Sequence, residues 1–257
     1  MWILHHRDLC HWVLLIIAAW SQVACIDTPQ RQHLSVFAAS SFRDVLPVIS
    51  QRCGIDVDFQ FAGSHVLKLQ VQHGAAADVF LSANQGHIDV LHATGLMAKA
   101  EPLVRNSLTI ALAPGREQHA SHIETLLNSK RIVLGVRSSP IGAYTHEWLS
   151  TLFNNESTKT VKAINDQVIS YESNTRIVLQ RVLQGDADAG IVYQSDTHPF
   201  PSLRTHAIPR VQQPDIVMFM GASLSPTSNQ SQVQTFRECV QGPGALAIFQ
   251  QYGFESL

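Results

Sequence analysis

Short apolar segments alternate with helical segments from residue 33 onward, and this alternation limits the fold more than any other feature. The segment HLSVFAA (33–39) is typical of a buried strand, and SFRDVLPVISQRC (41–53) predicts a helix with a kink at Pro47. IDVDFQFA (55–62) alternates apolar and polar residues as a strand does, and SHVLKLQVQHG (64–74) predicts the next helix. Strands that alternate with helices indicate βαβ units in a parallel sheet covered on both faces.

The same alternation continues to the end of the chain, and it restarts after residue 106. Two α/β lobes fit this order better than one sheet does. We expect each lobe to be a mostly parallel sheet flanked by helices, with lobe I formed by residues 31–106 and 209–257 and lobe II by residues 107–208. The further segments predict strands at 77–83, 107–115, 131–136, 189–193 and 214–223, and helices at 86–95, 142–153, 175–187 and, either side of GPG, 228–254.

The charge balance argues against a nucleic-acid partner. The chain has 257 residues, a formal net charge of -2, and 18 basic against 20 acidic residues with no long run of either sign. A nucleic-acid-binding protein normally carries a basic stripe. An anionic ligand would therefore have to be held by something other than a cationic surface.

The N-terminal segment predicts a secretory signal peptide over residues 1–25. Its apolar run from Trp12 to Trp20 is too short to span a bilayer, and small residues follow it, with cleavage expected after Ser21 or near Ala24. The protein would then be periplasmic or otherwise extracytoplasmic, with a lipid anchor at Cys25 as a variant. The alternatives are an N-terminal core helix and, if this segment is retained, an intracellular oxyanion sensor.

Two cysteines would remain in an exported chain, Cys53 and Cys239. An extracytoplasmic protein could pair them in a disulfide, or they could be two separate buried thiols. The sequence contains no CxxC motif for zinc or redox chemistry.

Small polar residues follow several predicted strands, where each chain segment enters a helix. Ser41 and Ser64 stand at two such helix starts, Ile141 lies in the PIGAY turn, Thr175 begins a later helix, and Tyr193 ends the strand of GIVYQSD. Helix starts present unpaired N–H donors and the positive end of a dipole. Several of them aimed at one point would bind an anion without lysine or arginine. A cleft lined only with donors favours a fully ionised oxyanion, because a protonated one would find no acceptor.

Each of these residues also has an ordinary structural interpretation. Ser41 and Ser64 suit N-cap positions, and Ser41 with Asp44 resembles a capping box. Tyr193 alone suits a packed aromatic side chain whose hydroxyl is hydrogen-bonded. Spacing along the chain leaves both interpretations open.

Several segments occur in the order seen in periplasmic molybdate-binding proteins of ABC transporters. They are VFAASSF, FAGSHVLKLQVQHGAAADVFLSAN, NSLTIALAP, PIGAY and GIVYQSD, and GPGALAIFQQYGF resembles the closing segment of that family. The resemblance covers roughly residues 34–254. It implies a type II periplasmic binding protein fold, hinged around a cleft that closes on molybdate or tungstate. It also implies an ABC permease with its ATPase as partners, a monomer, and no cofactor.

The resemblance assigns the ligand positions one at a time. Ser41 and Ser64 match two serines of the family in lobe I, and Tyr193 matches a tyrosine whose phenol donates to the oxyanion. The backbone amides of Ile141 and Thr175 match the other two donors, so the ion would bridge the lobes without any direct ligand to the metal atom.

Four positions depart from the family pattern, and one of them is Asn84, which replaces a common aspartate. Ser40 stands where alanine is frequent, so it could compete with Ser41 or add a donor, and His65 stands where serine or threonine is common. A protonated His65 would strengthen binding of a dianion, or its ring could face solvent. Ile141 is bulkier than the small residue expected and could narrow the cavity.

Besides the intracellular sensor, three rival functions fit parts of the sequence. Ser64 beside His65 suggests a serine hydrolase, but no G-x-S-x-G motif or oriented base accompanies it. His119 and His122 have a spacing that could share a metal on a helix, although solvated surface histidines fit their segment better. The third rival keeps the fold and changes the ligand to sulfate or another small oxyanion.

Overall fold

The computed structural model describes residues 33–155, 158–225 and 229–257. The predicted signal peptide at 1–25, the Cys25 anchor and the first two residues of predicted lobe I lie outside these residues. The ten strands are β1 Leu34–Ala39, β2 Val57–Ala62, β3 Val79–Ser82, β4 Glu101–Asn106, β5 Leu108–Leu112, β6 Ile132–Gly135, β7 Val168–Glu172, β8 Ala189–Tyr193, β9 Arg204–Ala207 and β10 Ile216–Ala222.

Ten α-helices are described between and after these strands. They are α1 Leu46–Cys53, α2 Ser64–Gln72, α3 Gln85–Ala93, α4 His122–Leu127, α5 Pro140–Asn155, α6 Thr158–Asp166, α7 Thr175–Leu183, α8 Gln194–Thr197, α9 Gln230–Gln241 and α10 Pro243–Gln251. Two 3-10 turns, Ser40–Phe42 and Arg210–Gln212, complete the elements. None of the helices described is both long enough and apolar enough to cross a membrane.

The strands form two separate five-stranded sheets. The first has the order β2-β1-β3-β10-β4 and the second the order β7-β6-β8-β5-β9. In each sheet one strand, β10 or β5, runs antiparallel to both of its neighbours, so the other four strands share one direction. The mostly parallel, two-lobed α/β fold is therefore confirmed. We call the sheet of β1–β4 and β10 with its helices lobe I and the other lobe II; the boundaries between them at residues 106/107 and 208/209 stay a prediction.

The helix predicted over residues 41–53 is wrong in its first half. The chain makes a 3-10 turn at Ser40–Phe42, and α1 begins only at Leu46. Pro47 does not kink the helix but lies in its first turn, where its missing N–H would have no intrahelical partner. This break leaves Ser41 in a tight turn at the end of β1.

Six of these strands and α-helices have no counterpart among the predicted segments: β4, β7, β9, α4, α6 and α8. The strands among them carry weak apolar signals. In β7, Ile169 and Tyr171 are more than half exposed, so its alternating pattern puts large apolar side chains on the solvent face. Such a strand at the edge of a sheet lacks the apolar run that marks a buried one.

A disulfide joins Cys53 at the end of α1 to Cys239 in α9. Of the two alternatives left open by the sequence, the paired one is correct. Both helices belong to lobe I and pack against each other, so the bond ties the beginning of that lobe to its C-terminal part.

Candidate ligand-binding site

A small cavity lies where the strand ends of both sheets face each other, and all five predicted site residues line it. Ser41 and Ser64 contribute from lobe I, and Ile141, Thr175 and Tyr193 from lobe II. The cavity measures about 10 Å³ for the centre of a water-sized sphere. The remaining lining residues are Ala39, Ser40, Ala62, Gly63, Ala83, Ser139, Pro140 and Asn174, so no charged side chain is among them.

Ser41 is held in the 3-10 turn that follows β1. The side chain of Phe42 anchors this turn by stacking on Phe254, with ring centroids 5.4 Å apart, and by an edge contact with Phe249. The Ser41 side chain is buried, makes no capping hydrogen bond, and its Oγ has no hydrogen-bond partner. Ser41 is therefore not an N-cap, because a capping oxygen would accept from a backbone N–H.

Ser64 is the first residue of α2, after the N-cap position of Gly63. Its buried Oγ accepts a hydrogen bond of 3.1 Å from the N–H of Ala83, which follows β3, and does not cap its own helix. A hydroxyl that accepts in this way keeps its own proton. Ser64 is thus fixed in position while its O–H can still donate into the cavity.

The Ile141 amide lies in the first turn of α5. Ser139 caps this turn: its Oγ donates to the carbonyl of Val136 at 2.7 Å and accepts from the N–H of Gly142 at 3.2 Å. The Ile141 N–H has no intrahelical acceptor because it lies in the first turn of the helix, and Pro140 before it has no N–H. A Cβ on Gly142 would lie 2.0 Å from the Val136 carbonyl oxygen, so glycine is what lets the helix start this close to β6.

The start of α7 has the same construction. The Oδ1 of Asn174, the N-cap, accepts from the N–H groups of Arg176 at 3.0 Å and Ile177 at 3.2 Å. The Thr175 N–H is left over at the cavity, while Thr175 Oγ1 donates to the Asp196 carboxylate at 2.8 Å. The amide, and not the hydroxyl, of Thr175 is therefore the donor available to a ligand.

Tyr193 ends β8 with its side chain almost completely buried, and its hydroxyl has no hydrogen-bond partner. Burial, with smaller contributions from Tyr144 and Asp196, raises the pKa of this phenol well above its ordinary value. Tyr193 therefore keeps its proton at neutral pH and can act only as a donor to an anion. The ordinary interpretation of this residue, a packed ring with a bonded hydroxyl, is wrong on the second point.

The charges nearest the site compensate one another. The Arg176 guanidinium pairs with Asp196 through Nε at 2.8 Å and with Asp44 through Nη2. Burial raises the pKa of Asp196, and the adjacent Arg176 opposes that shift. The cavity therefore attracts an anion through hydroxyl and amide dipoles, since the neighbouring Arg176 is already matched by carboxylates.

The residues that depart from the family pattern have different positions. Ser40 lines the cavity beside Ser41, whereas His65 does not line it. Burial, with a smaller contribution from Lys68, lowers the pKa of His65, so the ring is neutral at neutral pH. A protonated His65 beside the ligand is therefore not supported by this geometry.

The metal-site alternative is contradicted. His119 precedes α4 and is exposed, while His122 begins that helix and is buried against Trp148, so the two do not share a helix face. No cluster of three or more metal-ligating side chains occurs within the described residues. The description of both as surface histidines was also wrong for His122.

Several residues that shape the site were missed by sequence reasoning. Ser139 and Asn174 cap α5 and α7, and Asp196 anchors Thr175. A polar residue just before each helix was the available signal for the two caps. Nothing in the sequence signalled Asp196, because its partner lies 21 residues away in the chain.

Two lobes, each with a mostly parallel sheet, and a cavity built from helix starts of both define a two-lobed solute-binding protein. Residues 34–255 match the family model described as bacterial extracellular solute-binding protein. The chain belongs to this family, whose members bind solutes outside the cytoplasm.

Individual proteins show the same similarity. A Bacillus subtilis protein named as a substrate-binding lipoprotein of an ABC transporter is 26% identical over 249 residues, covering 94% of this chain and 93% of its own. The molybdate-binding protein ModA of Escherichia coli is 29% identical over 236 residues, covering 86% and 88%. The solved periplasmic molybdate-binding protein of Azotobacter vinelandii superposes with a TM-score of 0.73 at 18% identity, covering 86% of this chain and 98% of that one.

Proposed function

We propose that this protein captures molybdate or tungstate and delivers it to an ABC permease. The observation that carries the proposal is the state of three hydroxyls at one cavity. Ser41 and Tyr193 are buried there without partners, and Ser64 only accepts, so its proton is free. Buried polar groups are normally hydrogen-bonded, and a ligand with several acceptor oxygens would satisfy all three at once.

The chemistry of the lining favours a fully ionised oxyanion. Hydroxyls and amide N–H groups donate to oxygens, whereas a protonated oxygen would need an acceptor. Phosphate keeps a proton near neutral pH, so one of its oxygens would have to donate to a side-chain hydroxyl, and it would satisfy fewer of the donors than a fully ionised oxyanion does.

Molybdate and tungstate are preferred over sulfate because the sequence relatives with a named solute bind molybdate, whereas a sulfate-binding protein of Mycobacterium tuberculosis shares only the fold, at 15% identity. Sulfate is the second candidate, since it is also a tetrahedral dianion that the same donors could bind. Choice between them depends on how far the lobes close around the ion.

The proposed mechanism is reversible closure without covalent chemistry. Ser41 and Ser64 belong to lobe I, and Ile141, Thr175 and Tyr193 to lobe II. An ion that contacts both sets has more hydrogen bonds in the closed form than in the open form. Ligand binding therefore shifts the population toward the closed form.

The family implies a location outside the cytoplasm, and the proposal adds the route of export and the transport partners. We propose export by the N-terminal segment to the periplasm or the outer face of the membrane, where a permease with its ATPase receives the ion. A lipid anchor at Cys25 and a monomeric state belong to the same proposal. The Cys53–Cys239 disulfide supports an oxidising location, since such bonds are rare in the cytoplasm.

Calorimetric titration tests the function directly. The mature chain, from about Asp27, is titrated with molybdate, tungstate, sulfate and phosphate at one pH. We expect tight one-to-one binding of the first two, weak binding of sulfate and none of phosphate. Tight binding of sulfate alone would replace the proposed ligand and keep the donor site, whereas no heat with any of the four would overturn the proposal.

A further inference from the structure

An ion pair crosses the cleft beside the cavity and joins the two lobes. Arg176 of α7, in lobe II, pairs through Nη2 with Asp44, which follows the first 3-10 turn in lobe I. Its Nε pairs with Asp196 of lobe II. We propose that Arg176 is a positioning residue that couples lobe closure to ion capture, an inference that rests on the proposed function. It remains bound to Asp196 in lobe II and takes up Asp44 only when the lobes close.

The pair with Asp196 is internal to lobe II. Asp196 is completely buried, and it also accepts the hydrogen bond from Thr175 Oγ1. One carboxylate thus fixes the first two residues of α7, and the amide of Thr175 faces the cavity from there. Breaking a buried pair leaves an uncompensated charge, so this contact is retained when the lobes separate.

The pair with Asp44 differs because its members belong to different lobes. Asp44 lies three residues after Ser41, and its side chain is 31% exposed against 17% for Arg176. Separation of the lobes returns Asp44 to water, and closure restores the pair. The contact therefore stabilises only the closed form, and its loss shifts the population toward the open one.

A second close approach shows how tightly the lobes meet here. A Cβ built on Gly63 of lobe I would lie 2.6 Å from the carbonyl oxygen of Ser173 in lobe II. Ser173 is three residues before Arg176, so the ion pair lies next to a place where the two backbones touch. Side chains held at such a junction keep their geometry at low entropic cost.

Arg176 does not serve as the ligand's counter-ion. It is absent from the cavity lining, and both of its partners are carboxylates. Its effect on affinity must therefore act through closure. This separates it from Ser41 and Tyr193, whose hydroxyls would touch the ion.

The variant Asp44→Asn tests this role without exposing Asp196. We expect the dissociation constant for molybdate to rise about three- to tenfold at low salt. The increase should come from faster dissociation rather than from slower association. In 1 M salt, where the screening length is about 3 Å, the dissociation constant of the variant should approach that of the wild type. Asp44→Glu, which keeps the charge, should restore most of the affinity. The thermal midpoint should stay within a few degrees of the wild type in every variant.

Glu101→Gln is the matched control. Glu101 pairs with Arg237 at similar exposure, 37% and 30%, but entirely within lobe I. It should leave affinity and dissociation rate unchanged. Equal affinities and dissociation rates for the wild type and Asp44→Asn at low salt would overturn the proposed role of Arg176.

A ligand-free measurement separates this inference from the proposed function. If the wild type binds none of the four oxyanions, the closed fraction of the ligand-free protein still reports the ion pair, because the pair stabilises only the closed form. Asp44→Asn should then lower that fraction, measured as a larger radius of gyration in small-angle scattering, while Glu101→Gln does not. An identical radius of gyration in all three proteins would overturn the coupling as well.

Discussion

The hydroxyls of this cavity differ from those of ordinary structural residues in whether they already have a hydrogen-bond partner in the protein. The sequence placed Ser41, Ser64 and Tyr193 after the right strands, but it could not show whether each hydroxyl already had a partner. That depends on atoms distant in the chain, such as the Ala83 amide that meets Ser64. The structure rules out the capping role for both serines, and their role toward a ligand stays a prediction.

Removing the phenolic hydroxyl gives the first test at this scale. Tyr193→Phe should weaken molybdate binding by about 1.5–3 kcal/mol, the usual value of one hydrogen bond to a charged group. Its thermal stability should not fall, because this hydroxyl has no partner in the protein. Calorimetry and thermal unfolding measure the two effects. Tyr252→Phe, which alters a ring packed on His198 away from the cavity, is the control, and equal affinities for both variants would refute the assignment.

His87 gives a pH dependence of stability. Burial, followed by the charges of Lys68 and His65, lowers the pKa of His87 to about 4. Between pH 6.5 and 4 the unfolded chain takes up a proton at this position that the folded chain does not. Stability from this residue is therefore complete above pH 6.5 and is lost as the pH falls toward 4.

The variant His87→Gln should flatten that part of the stability curve. The measurement is the difference in thermal midpoint between pH 7 and pH 4.5 for each protein. His73→Gln changes an exposed histidine at the end of α2 and should keep the wild-type slope. An unaltered slope in His87→Gln would contradict the lowered pKa.

Strands buried on both faces were predictable from their apolar runs, and the partly buried β2 from its alternation of apolar and polar residues. The strands β1, β3, β6 and β8 are almost entirely buried and carry the apolar runs that were recognised. The missed β9, with the sequence RTHA, has no such run, because an edge strand is solvated. Its position depends on pairing with β5, which local sequence does not encode.

The disulfide between α1 and α9 gives a prediction about the stability of the folded chain. Reduction of the Cys53–Cys239 bond, which spans 186 residues, should lower the free energy of unfolding by about 5 kcal/mol at most. Thermal unfolding with and without a phosphine reductant should show a fall in the midpoint of up to about 20 °C. Oxyanion affinity should change little, because both helices lie within lobe I.

A double variant with both cysteines replaced by serine is the control for that experiment. The reductant should not shift its thermal midpoint. A large shift in this variant, or none in the wild type, would show that the bond does not stabilise the folded chain.

At the scale of the whole molecule, closure depends on a missing side chain. Gly63 has φ -64°, so alanine would adopt its backbone conformation without strain. The added Cβ would meet the carbonyl oxygen of Ser173 in the other lobe at 2.6 Å and the His65 ring of its own lobe at 2.8 Å; the ring can turn away, whereas the backbone carbonyl cannot. Gly63→Ala should therefore fold normally and bind molybdate at least about tenfold more weakly, because full closure is blocked. Titration and small-angle scattering of the saturated protein measure both effects.

Gly86→Ala is the matched control, since a Cβ there would meet nothing within 4 Å. It should bind and close as the wild type does. Full affinity and an unchanged radius of gyration in Gly63→Ala would show that the lobes do not need this close approach.

The sheet order also determines which lobe can complete its sheet first while the chain emerges from the ribosome, N-terminus first. All five strands of lobe II have been made once residue 207 appears, whereas β10, the strand that separates β3 from β4 in lobe I, is complete only at residue 222. The domain whose synthesis starts first is therefore the last that can finish folding. Until then β3 lacks one of its two neighbours and β4 lacks its neighbour β10, so the sheet of lobe I cannot be completed before residue 222, after that of lobe II.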